Sequence, residues 1–238
     1  MNGKGPIVFF GVMAVVLTSL LAFTQWRSQN QHYSAFELEF SPVTPLFHSS
    51  EEVENLLKQN WEAFPHAVKD TLDLNRVEAR IEALPAVANA EIYGTPKGFL
   101  GVYIEERKPY IRVQGSTAFY VDRSGTPFPL SKTHTVDVPL YIGDLPPTEA
   151  PEVVAFVQQL QQHDFWKKEL TSFEKNNQNY TLQLRSFPFE VEFGTTNQWR
   201  QKTKKLIAFC AYYKQHNPQQ PVAKINLSYA NRVVASAF

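Results

Sequence analysis

The first pattern along the chain is an uncharged apolar run, IVFFGVMAVVLTSLLAF, from Ile7 to Phe23. As a helix it spans roughly 26 Å at about 1.5 Å per residue, which predicts a transmembrane anchor over residues 7–24. Trp26 suits the headgroup zone, and Gln25, Arg27 and Ser28 end the run. Ala22 is preceded two positions back by Leu20, so no Ala-x-Ala cleavage site follows and the anchor is expected to stay attached. Lys4 and the amino terminus face Arg27 across the run, with no further basic residue before Lys58. This charge bias predicts a cytoplasmic head of residues 1–6 and a body outside the cytoplasm. TQWRSQNQHYS is polar and aperiodic, which predicts a tether over residues 25–34.

Beyond the tether the periodicities change. Phe36, Leu38 and Phe40 alternate with Glu37 and Glu39, as in a strand with one buried face. Ser49 and Glu52 form a capping box before a helix whose apolar face is Val53, Leu56, Leu57 and Trp61. A second helix from about Asp73 carries Leu74, Val77, Ile81 and Leu84, and Pro85 stops it. Ala88, Ala90 and Ile92, then Leu100, Val102 and Ile104, read as two strands around a turn from Gly94 to Gly98. The predicted order over residues 35–113 is βααββ.

Residues 114–238 predict a second domain. Short strands are expected at 110–113, 118–121 and 140–143, then a helix from Pro151 buried through Val153, Phe156, Val157 and Leu160. Strands at 172–175, 180–185 and 189–193 read as consecutive antiparallel partners. A helix over 197–213 uses Trp199, Thr203, Leu206, Ile207 and Cys210 as its stripe, and two strands, 225–229 and 233–238, close the chain. The fold class is therefore α+β: one amino-terminal transmembrane helix, a βααββ domain, and an α+β domain with a mainly antiparallel sheet.

Charge and chemistry narrow the function. The 23 basic and 23 acidic residues cancel, so the chain lacks the basic excess of a nucleic-acid binder. Cys210 is the single cysteine, which excludes an intramolecular disulfide and predicts a small buried hydrophobe. Motifs for a nucleophile elbow, a phosphate loop or a dinucleotide fold are missing, and the six histidines are scattered. Glu105 and Glu106 read as solvated strand-end charges, Asp122 as a turn residue bonding its own backbone, and Lys202, Lys204 and Lys205 as the solvated face of the last helix. No catalytic, cofactor-binding or metal residue is expected, and no small-molecule substrate.

The segment LNRVEARIEALPAVANAEIYGTPKGFLGVYIEERKPYIRV, with Leu84-Pro85-Ala86-Val87 and Glu106-Arg107-Lys108-Pro109, resembles the POTRA domain of the bacterial FtsQ/DivIB cell-division family. AFYVDRSGTPFPLS, VPLYIGDL, FEVEFG and KINLSYANRVV are similar to that family's later elements, in the same order. The resemblance implies a non-enzymatic, single-pass scaffold of the inner membrane, its body in the periplasm or outside. The implied partners are small bitopic coiled-coil division proteins of the FtsB/FtsL kind and the septal peptidoglycan synthase complex. It implies that Ile225, Asn226, Leu227, Ser228, Tyr229, Val233 and Val234 receive a partner strand, with Tyr229 as its anchor. Asn226-Leu227-Ser228-Tyr229 departs from the family's Asp-Leu-Arg-Tyr at Ser228. Period two places Ile225, Leu227 and Tyr229 on one strand face, so Tyr229 faces either the core or a partner. A POTRA-bearing chaperone or transport component is the alternative reading, and an anchored cell-wall hydrolase is a third.

Overall fold

The computed structural model describes residues 5–29, 35–41, 47–59, 74–95, 99–131, 134–216, 222–229 and 232–237. The chain separates into two compact units, Met1–Glu106 and Arg107–Phe238.

The first unit opens with α1, Gly5–Gln29. Its window Phe9–Trp26 is long and apolar enough to cross a membrane, and none of it is buried in the protein. Thr18, Ser19 and Thr24 turn their hydroxyls back onto carbonyls three or four residues earlier, so these polar groups are satisfied within the helix. The helix continues to Gln29, through residues read as tether, because neither glycine nor proline interrupts QWRSQ.

Four-fifths of the expected βααββ order is carried by β1 (Ala35–Ser41), α2 (Ser50–Gln59), α3 (Leu74–Glu82) and β2 (Val87–Gly94), and β3 (Phe99–Glu106) completes it. The sheet order is β1-β3-β2, with β1 parallel and β2 antiparallel to β3. Phe40, Val53, Leu57, Ile81, Ile92, Leu100, Val102 and Ile104 form the core, with Val77 and Leu84 packed at its margin. Trp61, Asp73 and the turn residues Pro96 to Gly98 lie outside the described residues, as do the side chains of Glu52 and Leu56.

Two readings need correction here. Ala88 is exposed while Val87 and Ala90 are buried, because the β2–β3 register shifts between Val87 and Asn89; the irregularity breaks the alternation that Ala88 was assigned to. Glu106 is 1% exposed rather than solvated. Its Oε1 accepts the backbone N–H groups of Phe47 at 3.1 Å and His48 at 2.9 Å, so the end of β3 ties down the chain leading into α2.

The second unit contains β4 (Pro109–Gln114), β5 (Ala118–Asp122), β6 (Pro127–Pro129), β7 (Leu140–Ile142), α4 (Ala150–Leu160), α5 (Asp164–Glu169), β8 (Leu170–Asn176), β9 (Asn179–Leu184), β10 (Glu190–Gly194), α6 (Trp199–His216), β11 (Val222–Asn226) and β12 (Val234–Ala237). Its nine strands form one sheet in the order β12-β11-β10-β9-β8-β7-β4-β5-β6. Most neighbours are antiparallel, whereas β4–β7, β7–β8 and β10–β11 run parallel. Parallel pairing requires a crossover, and α4 with α5 links β7 to β8 while α6 links β10 to β11. Residues 109–113, on the first-domain side of the expected boundary, pair within this sheet as part of β4, which lies between β5 and β7.

The α4 stripe of Val153, Phe156, Val157 and Leu160 is buried as its spacing predicts. Phe156 stacks on Tyr180 at 3.7 Å between ring centroids and meets Phe193 edge-on at 5.6 Å. β6 and α5 have no counterpart in the sequence reading: prolines bracket β6, and α5 is under two turns long. Trp166 on α5 is nonetheless fully buried, and its indole N–H donates to Thr203 Oγ1 on α6 at 2.9 Å.

Candidate functional site

The sheet of the second unit ends at β12, and the last strands bring the expected partner-binding residues together. β11 pairs with β10 through Glu190 opposite Lys224, Val191 opposite Ile225 and Glu192 opposite Asn226. On its other side β11 pairs antiparallel with β12, Asn226 facing Val234. Ile225 and Leu227 are fully buried, and Val233 is half-buried against the same core. All four residues of β12 are exposed, Val234 among them. Phe238, Ala230 and Asn231 lie outside the described residues.

The expected strand over 225–229 stops at Asn226. The Leu227 N–H still donates to Glu192 O at 3.0 Å, but the chain then turns away. Asn226 causes part of this: its Oδ1 accepts the Ser228 N–H at 2.9 Å, a local turn bond that competes with the ladder, while its Nδ2 donates to Glu192 Oε2 at 2.6 Å. Tyr229 is consequently 45% exposed although Leu227, two residues earlier, is buried. The Arg232 guanidinium lies 4.8 Å from the centre of its ring. Ser228 Oγ presses against the end of β10, where a Cβ on Gly194 would come within 2.7 Å of it; Gly194 also has φ +70°.

The lysines of α6 need the second set of corrections. Lys202 is 6% exposed and lies on the apolar stripe, three residues after Trp199 and four before Leu206. Its Nζ sits 5.1 Å above the Phe193 ring and donates to Thr195 O at 2.7 Å. Lys205 Nζ donates to Leu227 O at 3.2 Å and Tyr229 O at 2.5 Å. Burial pushes both amines below the usual lysine value, and for Lys202 the neighbouring Lys205 adds repulsion. Lys204 alone of the three is exposed. The spacing from Trp199 would have placed Lys202 on the buried face; its charge argued against that assignment.

Elsewhere, Asp122 does hold its own turn, accepting from the Ser124 and Thr126 N–H groups at 2.9 Å each. It also pairs with Arg107 at 2.7 Å, a contact the sequence reading missed. Two open polar pockets of about 410 and 470 Å³ flank the β8–β9 turn, sharing Asn177 and Tyr180. Neither pocket is lined by a histidine or a cysteine. Among the described residues, no group of three histidine, cysteine, aspartate or glutamate side chains is arranged to hold a metal ion.

A sequence model of the family described as FtsQ/DivIB, C-terminal related, matches residues 108–236, more than half of the chain. The chain belongs to this family. The match runs from the residue before β4 to within β12, so β11, Tyr229, Val233, Val234 and the α6 lysines fall inside it. No curated protein matches the sequence. FtsQ/DivIB proteins are non-enzymatic division proteins that work through protein partners, and in this FtsQ/DivIB-related chain one end of the second unit's sheet is β12, a strand exposed at all four residues.

Proposed function

We propose that this protein is a bitopic scaffold of the bacterial division machinery. Residues 7–24 anchor it in the cytoplasmic membrane behind a cytoplasmic head of residues 1–6, and residues 25–34 lead into an extracytoplasmic body. The body comprises a POTRA domain within residues 35–113 and a β-rich domain over the remainder. It binds small bitopic coiled-coil proteins of the FtsB/FtsL kind and through them helps control septal peptidoglycan synthesis. The βααββ order with its β1-β3-β2 sheet supports the POTRA reading.

The observation that carries the proposal is the β12 edge. A four-residue strand, exposed throughout, ends a nine-stranded sheet and leaves backbone groups for another chain to pair with. Strand addition there supplies affinity through main-chain hydrogen bonds, and Ile225, Leu227 and Val233 support the platform from below. Tyr229, Ser228, Asn226 and Val234 supply the contact surface. An aromatic ring with a polar tip tolerates water when free and burial when bound.

The test uses the full chain in nanodiscs and the extracytoplasmic segment of the FtsB-type protein encoded in the same genome. Tyr229→Ala is expected to leave circular dichroism and melting nearly unchanged and to weaken capture by about tenfold or more, roughly 1.4 kcal/mol at least. Unfolding of the variant, or wild-type affinity, removes Tyr229 from the role of anchor.

A further inference from the structure

We propose that Lys205 is the positioning residue of this binding edge: by tying down the carbonyls of Leu227 and Tyr229 from α6, it turns the chain out of β11 and presents the Tyr229 side chain to a partner. The inference rests on the reading of Tyr229 as anchor and adds the device that orients it.

Were β11 to continue, Tyr229 would follow Ile225 and Leu227 into the core. Ile225 and Leu227 are fully buried, yet Tyr229 is exposed, so something must rotate the backbone between Leu227 and Tyr229. Two side chains act there. Asn226 Oδ1 captures the Ser228 N–H and starts the turn. Lys205 then bonds both carbonyls that flank residue 228, Leu227 O and Tyr229 O. In a continuing strand, carbonyls at positions i and i+2 point to the same side and lie about 6 to 7 Å apart. A single ammonium nitrogen cannot bond two oxygens at that separation, since each bond reaches only about 3 Å and the two would need to lie in line. Lys205 can therefore bond both only when the segment is curled, and the bonds in turn favour the curled form.

α6 is a suitable base for such a clamp. Trp199, Leu206 and Cys210 bury one of its faces, and Lys202, one turn before Lys205, is itself fixed by Thr195 O. The Lys205 stem thus rises from a held helix face, and charge-assisted bonds to neutral carbonyls are stronger than ordinary ones. The Arg232 guanidinium also lies over the Tyr229 ring.

A double-mutant cycle on the full chain in nanodiscs tests the proposal, with the same FtsB-type segment as probe. Lys205→Met keeps the stem and removes the donors. It is expected to weaken binding by about fivefold or more with little change in melting, and the Lys205→Met/Tyr229→Ala double variant is expected to bind no more weakly than Tyr229→Ala alone. Lys205→Arg, which retains several donors, is expected to recover most of the affinity. If Lys205→Met binds as wild type while Tyr229→Ala does not, or if their effects add, Lys205 does not position Tyr229. If Tyr229→Ala itself binds as wild type, the anchor reading fails and the clamp with it, an outcome distinct from the first two. Should Lys205→Met lower the melting point by more than about 5 °C, Lys205→Leu, which also lacks donors, takes its place under the same criteria.

Discussion

Asp122 joins four hydrogen bonds in one short turn: from the Ser124 hydroxyl at 2.6 Å, the Ser124 and Thr126 amides, and Arg107 Nη1 at 2.7 Å. Burial alone would raise its pKa, but the Ser124 and Thr126 bonds and the Arg107 pair outweigh burial and hold the carboxyl below its usual value. A folded-state value below the unfolded one stabilises the protein above the ordinary aspartate pKa of about 3.9. That contribution is lost as pH falls from about 4 through the depressed value. Asp122→Asn is therefore expected to lower stability at pH 7 by about 1.5 to 3 kcal/mol, since Arg107 is partly solvated and retains water contacts. Denaturant midpoints measured from pH 7 down to pH 2 should fall less steeply in the variant. A parallel decline in both proteins would mean that Asp122 does not carry this linkage. Cys210 illustrates the opposite balance: burial first, then the Glu169 charge, pushes its thiol up to about 12, as suits an inert residue in the α6 stripe.

The β2 edge of the first unit is managed differently from β12. β2 is an outer strand of its sheet, yet the Ile92 N–H donates to Glu78 Oε1 at 2.7 Å and the Ala90 N–H approaches Glu82 Oε1 at 3.5 Å. The match is geometric. Residues four apart on α3 rise about 6 Å, close to the spacing of about 6.6 Å between alternate residues of a strand, so two carboxylates one turn apart can face two outward amides. They stand where a neighbouring strand's carbonyls would, and they close that edge to strand addition. Glu78→Ala is expected to speed hydrogen exchange at the Ile92 amide by about tenfold, equivalent to a bond of roughly 1.4 kcal/mol, with the helix content unchanged. An unchanged exchange rate would show that Glu78 does not protect the edge. Both glutamates sit in the α3 sequence, but nothing in the 3.6-residue pattern distinguishes a glutamate facing water from one facing a sheet edge.

At the scale of the whole molecule, each unit carries its own core, and one helix in the described chain is long and apolar enough to cross a membrane. Under the proposed orientation, protease added to spheroplasts should digest the body beyond Gln29, and the digestion should not require breaking the membrane. Protection of the body until lysis would place it in the cytoplasm and remove the extracytoplasmic scaffold reading. The family match over residues 108–236 would stand in either case, because it rests on the second unit alone.

Features written in contiguous residues are legible in the sequence itself. The apolar run of α1, the α4 stripe and the strict alternation of Leu100, Val102 and Ile104 are properties of neighbours along the chain, and burial follows their period. The ordered motifs from Leu84 to Val234 likewise pointed to the FtsQ/DivIB family that the family match shows. Tertiary structure decided what depends on partners far away in sequence. Glu106 is buried because two amides 58 and 59 residues earlier need an acceptor. Ala88 is exposed because β3 pairs with β2 across an irregularity. Lys205 reaches carbonyls 22 and 24 residues later, and Tyr229 leaves the face that period two assigns it. Local pattern sets which face a residue prefers, but a hydrogen bond from a distant element can turn the backbone and overrule it.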